Sequence, residues 1–175
     1  MISRTFWFGR SLPLAVLVAS SALRAVRDRR IVDTVHAGDA RSEALHGYVG
    51  VEARADTAGG TAYREATGWV RYALTTFDDT EVTVSCTFAA DPSANGARRF
   101  ALVVEDSVIA TPELAPAATP RTVDVLVPQA LTRGKTNIAI SIYARGGVTP
   151  PLRELRTVQD HNEHDLRSYL LGAPR

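Results

Sequence analysis

Cysteine is almost absent: Cys86 is the only one in 175 residues. No disulfide can close within the chain, and no zinc site can be assembled from several thiolates. Cys86 lies in "EVTVSCTF" on the parity of Val82, Val84 and Phe88, and reads as a small buried hydrophobe. Net charge is nearly absent too. The 19 acidic residues almost cancel the 20 basic ones, leaving +1, which argues against a nucleic-acid partner held by overall basicity. Lysine is as scarce as cysteine, because Lys135 is the only one and every other basic residue is arginine. With abundant Ala and Val, that bias reads as the mark of a GC-rich bacterial genome. The apolar run from Leu12 to Val18 falls short of the roughly 20 residues a membrane-spanning helix needs. Neither a G-x-S-x-G elbow nor a phosphate-binding loop is present, and no His or Cys spacing matches a zinc pattern.

What the chain does contain is alternation. From Ile31 onward the apolar residues recur mostly with a period of two, the signature of half-buried strands. "RIVDTV", "VGVEAR", "WVRYALTT", "EVTVSCTF", "TVDVLV", "NIAISIYAR" and "LRELRTV" each read as a strand, and "RRFALVVEDSVIATPEL" reads as a hairpin reversing at Asp106-Ser107. "AADPSANGAR" and "APAATP" carry turn chemistry, and "PQALTRGK" reads as a turn or short helical loop stopped at Gly134. About nine short strands without a long helix predict an all-β fold, an antiparallel β-sandwich of jelly-roll type with short N- and C-terminal helical segments.

Three regions are expected: a leader over 1–30, the sandwich over 31–158 and a tail over 159–175. The leader resembles a secretory signal, with Arg4 and Arg10 ahead of the apolar run and Ser20 and Ala22 as the small pair after it. The proline inside the run and the cluster Arg24, Arg27, Arg29 and Arg30 just beyond it speak for an anchor or an unrelated leader instead. All three stay open. The tail places Leu166, Tyr169 and Leu170 at helical spacing.

The aromatic density of "GTAYREATGWVRYAL" sets the candidate site. On a strand over "WVRYAL", Val70, Tyr72 and Leu74 face the core, while Trp69 and Arg71 face outward. A large outward ring needs cover. Either the long loop Ala55–Thr67 folds over it with Arg64 stacked on its face, or it meets a ligand. Flat exposed rings suit the apolar faces of sugars, and Arg side chains suit their hydroxyls, so Trp69, Tyr63, Arg64 and Arg71 are the candidate carbohydrate-binding residues. Loop-to-sheet packing is the competing explanation. In "HAGDARSEALHG", Asp39 and Ser42 suit a helix cap or turn, and two carboxylates, Asp39 and Glu43, are too few for the six to eight oxygens of a calcium site. His161, Glu163 and His164 read as a solvated tail. No metal, cofactor or catalytic residue is expected.

Several segments in order, "VHAGDARSEALHG", "GTAYREATGWVRYAL", "RRFALVVEDSVIAT", "VPQALTRGKTNIAISIYAR" and "ELRTV", resemble the β-sandwich domain at the C-terminal end of glycoside hydrolase family 127 proteins, the β-L-arabinofuranosidase-like enzymes. The resemblance spans about Ile31 to Val158. It rests most on Gly38-Asp39, Ser42-Glu43, Tyr63-Arg64, Gly68-Trp69 and the run Leu131-Thr132-Arg133-Gly134-Lys135. Ser107 departs from the glycine common in that family's hairpin turn, and the catalytic α/α-barrel has no room here. The resemblance thus implies a non-catalytic accessory module and transfers no catalytic residue. Its partners would be a carbohydrate, a glycoside hydrolase catalytic domain or a second copy of itself, with no nucleic acid. A structural or protein-interaction module, or a detached remnant of a longer hydrolase, is the alternative.

Overall fold

The alternation of apolar residues is carried by an antiparallel sheet of ten strands in the computed structural model, which describes residues 29–77 and 80–160. In chain order these are β1 (Arg29–His36), a short helix α1 (Ala40–Leu45), β2 (Val49–Ala58), β3 (Thr61–Thr75), β4 (Val82–Phe88), β5 (Arg98–Val104), β6 (Ser107–Ala110), β7 (Glu113–Leu114), β8 (Arg121–Val127), β9 (Asn137–Ala144) and β10 (Leu152–Asp160). Most of the leader, the helical spacing in the tail and the His161, Glu163 and His164 group lie outside the described residues.

The pairing divides the sheet into two layers. In one, β2, β3, β9, β5 and β6 lie side by side; in the other the order is β1, β10, β4, β8. A single pair, Leu152 opposite Arg64, joins β10 to β3 and links the layers. The inward positions follow from parity. Val70, Tyr72, Leu74, Phe100, Leu102, Val104, Ile138, Ile140 and Ile142 from the first layer meet Val82, Val84, Cys86, Phe88 and Leu155 from the second. Phe88 and Phe100 touch across the interior with ring centroids 5.1 Å apart. This is the jelly-roll-like, all-β fold that the sequence predicts.

Two local departures shape the first layer. The expected loop Ala55–Thr67 is instead a hairpin of β2 and β3, reversing at Gly59-Gly60 with φ of 58° and 76°. Two glycines with positive φ make the tight turn whose twist matches that of the flanking strands, so both strands extend through the segment read as loop. Between Val51 and Ala53 the register shifts, and β3 gains one residue relative to β2. Gly68 sits at this bulge because a Cβ there would come within 2.5 Å of the Val51 carbonyl oxygen. A bulge bends the strand and re-aims the side chain beside it, here Trp69.

The β5–β6 turn is centred on Glu105 and Asp106, both at positive φ (50° and 64°), one residue earlier than the sequence suggests. Neither is glycine, so the conformation has a cost. It is offset by the Glu105 carboxylate, which accepts from the Ala139 backbone N–H and from Lys135 Nζ, each at 2.7 Å. The Glu105 carboxylate thereby fastens the turn to β9 and to the single lysine just ahead of it.

Candidate functional site

On the outer face of the first layer, the β3–β9 register sets Trp69 directly opposite Tyr143 and Arg71 opposite Ser141. The two rings lie with centroids 5.8 Å apart and planes tilted by 34°. Both are half-buried. The Arg71 guanidinium carbon sits 5.7 Å from the centre of the Trp69 ring, donates through Nε to Ser141 Oγ at 2.9 Å and reaches Asp106 Oδ1 at 2.8 Å. Beside these side chains on the same face, the small residues Ala101, opposite Tyr143, and Ser141, opposite Arg71, are buried. Val51 and Val49 extend the face across β2, opposite Trp69 and Arg71, and Val108 extends it on β6; all three are exposed.

Of the four residues singled out in the sequence, this places Trp69 and Arg71 together. Tyr63 lies further along β3, opposite Asp56 of β2. Burial and the neighbouring Asp56 and Glu65 carboxylates raise its phenol above the ordinary tyrosine range. Arg64 has the core parity and points away from Trp69, correcting the expected stack. Its guanidinium lies 4.5 Å from the centre of the Tyr48 ring and forms a two-pronged ion pair with Glu43 of α1.

Glu43, which the sequence offers only as a loop carboxylate, is the hub of a buried network. Asp39 caps α1 by accepting from the Ser42 N–H at 2.7 Å, and this six-residue helix aims Glu43 inward. There it accepts from the Gly38 N–H at 2.9 Å and from the Tyr72 hydroxyl at 3.1 Å, besides Arg64. Burial, first, and the Glu43 carboxylate beside it push the Tyr72 phenol far above its usual value. Gly38, at φ 84°, packs on the backbone of Tyr63, where a Cβ would meet the carbonyl oxygen at 2.7 Å.

Exposure separates the two arginines. The Arg64 and Glu43 side chains retain 14% and 5% of their accessible surface, against 35% and 85% for Arg71 and Asp106. Breaking a buried pair leaves an uncompensated charge at a cost of about 3–5 kcal/mol, whereas an exposed pair contributes about 0–1 kcal/mol. Arg64 is therefore committed to the fold, while Arg71 and Asp106 can exchange their mutual contact for a ligand's hydrogen bonds.

Away from this face lies a concavity. Phe88, Leu114, Pro116, Pro150 and Pro151 form its apolar walls, and Asp91, Arg98 and Arg121 reach it. Arg98 is already engaged, by Glu65 at 3.0 Å, by the Thr149 carbonyl at 2.9 Å and by Asp91 at 2.6 Å. Among the described residues, no group of three His, Cys, Asp or Glu side chains is placed to hold a metal ion, and no helix is long and apolar enough to cross a membrane. Burial pushes the Cys86 thiol up to about 12, with Asp124 adding to the shift.

A family model described as a family of unknown function, DUF6805, matches residues 27–158. The chain belongs to that family. No curated protein matches it. Among solved structures, the DUF6805 chain is similar to a family 35 carbohydrate-binding module from an environmental isolate, at 17% identity and a TM-score of 0.56, covering 73% of this chain and 96% of that one. It is similar also to a family 35 module from Clostridium thermocellum (12% identity, TM-score 0.54, 74% and 96% covered) and to one from Cellvibrio japonicus Abf62 (17%, 0.51, 77% and 98%). At these identities the likeness extends to the fold of the DUF6805 sandwich.

Proposed function

We propose that this DUF6805 sandwich is a non-catalytic, carbohydrate-binding accessory module, and that Trp69 and Arg71, completed by Tyr143, Ser141 and Asp106, form its binding face. The observation that carries this reading is the juxtaposition of two half-exposed aromatic rings with an arginine whose ion pair is weak enough to be exchanged. An aromatic face gains from contact with the apolar face of a sugar, and the guanidinium and carboxylate beside it suit its hydroxyls. The sandwich architecture shared with carbohydrate-binding modules supports the reading. The resemblance to the C-terminal domain of β-L-arabinofuranosidase-like enzymes points to arabinan-type glycans as first ligands. Arabinan cast into a native gel is expected to retard the protein, and Trp69→Ala is expected to abolish the retardation. Equal mobility of the two proteins on arabinan and on a panel of other plant glycans would refute the reading.

A second reading has one observation in its favour: Val49, Val51 and Val108 enlarge the face into an exposed apolar surface, the kind that marks a protein contact. On this reading the face packs on a catalytic domain or on a second copy. Its mark is a solution mass of a dimer that reverts to monomer in Val51→Glu, with no response to glycans.

A further inference from the structure

We propose that the outer face holds two consecutive sugar units of a twisted glycan chain, one on Trp69 and one on Tyr143, with the chain running across the strands. This deepens the carbohydrate-binding reading and rests on it. Trp69 and Tyr143 are direct cross-strand partners, so a chain passing from one ring to the other crosses from β3 to β9. The 5.8 Å between centroids is comparable to the advance of one sugar unit along an extended glycan, so adjacent units fall on adjacent rings.

The rings are not coplanar: their planes are inclined to each other by 34°. A flat, ribbon-like chain can lie fully on only one of two planes so inclined. A chain whose successive units turn relative to each other lies on both.

The row also ends after two rings. Beyond Trp69 comes Val51, and beyond Tyr143 comes Ala101, which is buried. A third sugar would find no ring on either side. Arg71 and Ser141 occupy the next row of the same face, two residues along each strand, or roughly 7 Å away at about 3.4 Å per residue. They meet the hydroxyl edge of a sugar seated on the first row.

The test is calorimetric titration of the full chain with α-1,5-linked arabino-oligosaccharides and β-1,3-linked gluco-oligosaccharides of one to four units, beside a pull-down on microcrystalline cellulose. Binding of at least one series is expected to tighten about tenfold from one unit to two, the order of a single aromatic contact, and to gain nothing from two to four. Tyr143→Ala is expected to remove that step and leave single-unit binding; Tyr143→Phe, which keeps the ring, is expected to preserve it. Thermal melting of each variant checks that the fold is retained. Cellulose is expected to retain little protein. A bound series without the step, a gain continuing beyond two units, or strong retention on cellulose would overturn the two-unit inference and leave sugar binding at this face standing. Failure of the wild-type protein to bind any probe would overturn both.

Discussion

The buried Glu43–Arg64 pair makes a quantitative prediction about stability. Replacing Glu43 by alanine removes the acceptor for two Arg64 donors, for the Gly38 N–H and for the Tyr72 hydroxyl. Arg64 keeps little accessible surface and Tyr72 keeps none, so water does not readily replace the lost acceptor. An uncompensated buried charge costs about 3–5 kcal/mol. With a urea m-value of about 2 kcal/mol/M for a protein of this size, the unfolding midpoint is expected to fall by roughly 2 M. Urea titration at neutral pH, followed by tryptophan fluorescence, reads this directly. Arg99→Ala serves as the control, because it breaks a pair with Glu113 exposed on both sides, worth less than about 1 kcal/mol. The double variant Glu43→Ala/Arg64→Met is expected to lose less than the sum of its single losses, since removing the cation relieves the charge stranded by the first substitution. A Glu43→Ala midpoint no lower than that of Arg99→Ala, or strict additivity in the double variant, would refute the reasoning.

Three shorter predictions rest on single contacts. Gly68→Ala is expected to destabilise by about 1–3 kcal/mol, as overpacking does, because its Cβ would press on the Val51 backbone at 2.5 Å; thermal melting measures the loss, and the Trp69 emission is expected to shift with the bulge. Burial opposes the charged form of Asp33, but hydrogen bonds from the Thr75 N–H, His46 and the Thr34 N–H outweigh it and hold the carboxyl below its usual value. A lowered folded-state pKa adds stability that is complete above the unfolded value near 3.9 and is lost as pH falls through the folded one, so the urea midpoint is expected to drop below about pH 4 and Asp33→Asn to flatten that drop. With its thiol raised to about 12 by burial, Cys86 is expected to resist iodoacetamide at pH 8 in the folded protein and to react fully in denaturant, as read by mass spectrometry.

Strand periodicity exposes the fold because β3, β4, β5, β9 and β10 each turn a buried face to the core. Val70, Tyr72 and Leu74 inward, with Trp69 and Arg71 outward, follow from the two-residue repeat alone. The same even-numbered parity, carried back along β3 from Val70, turns Arg64 inward as well, but reading Ala55–Thr67 as a loop interrupts the count before it is reached. The partner of Arg64 is beyond any local rule, because Glu43 reaches it from a six-residue helix too short for its periodicity to show. Tyr143 lay in plain view, sharing the outward parity of Ala139 and Ser141 in "NIAISIYAR". What alternation alone does not supply is its place opposite Trp69.

That place is a consequence of the core. On the inward face of the same two strands, Val70 pairs with Ile142, Tyr72 with Ile140 and Leu74 with Ile138, and all six are essentially inaccessible to water. Sliding β9 by one residue would turn its three isoleucines outward, exposing side chains that each contribute about 1.5–3 kcal/mol when buried. Sliding it by two would keep the isoleucines inside but leave one of the three apolar pairs without its partner. The register that fills the interior thus also sets Tyr143 against Trp69 and Ser141 beneath Arg71 on the opposite face. The outer face needs no separate device to align its rings, so substitutions that test the proposed binding leave the alignment of β3 and β9 intact.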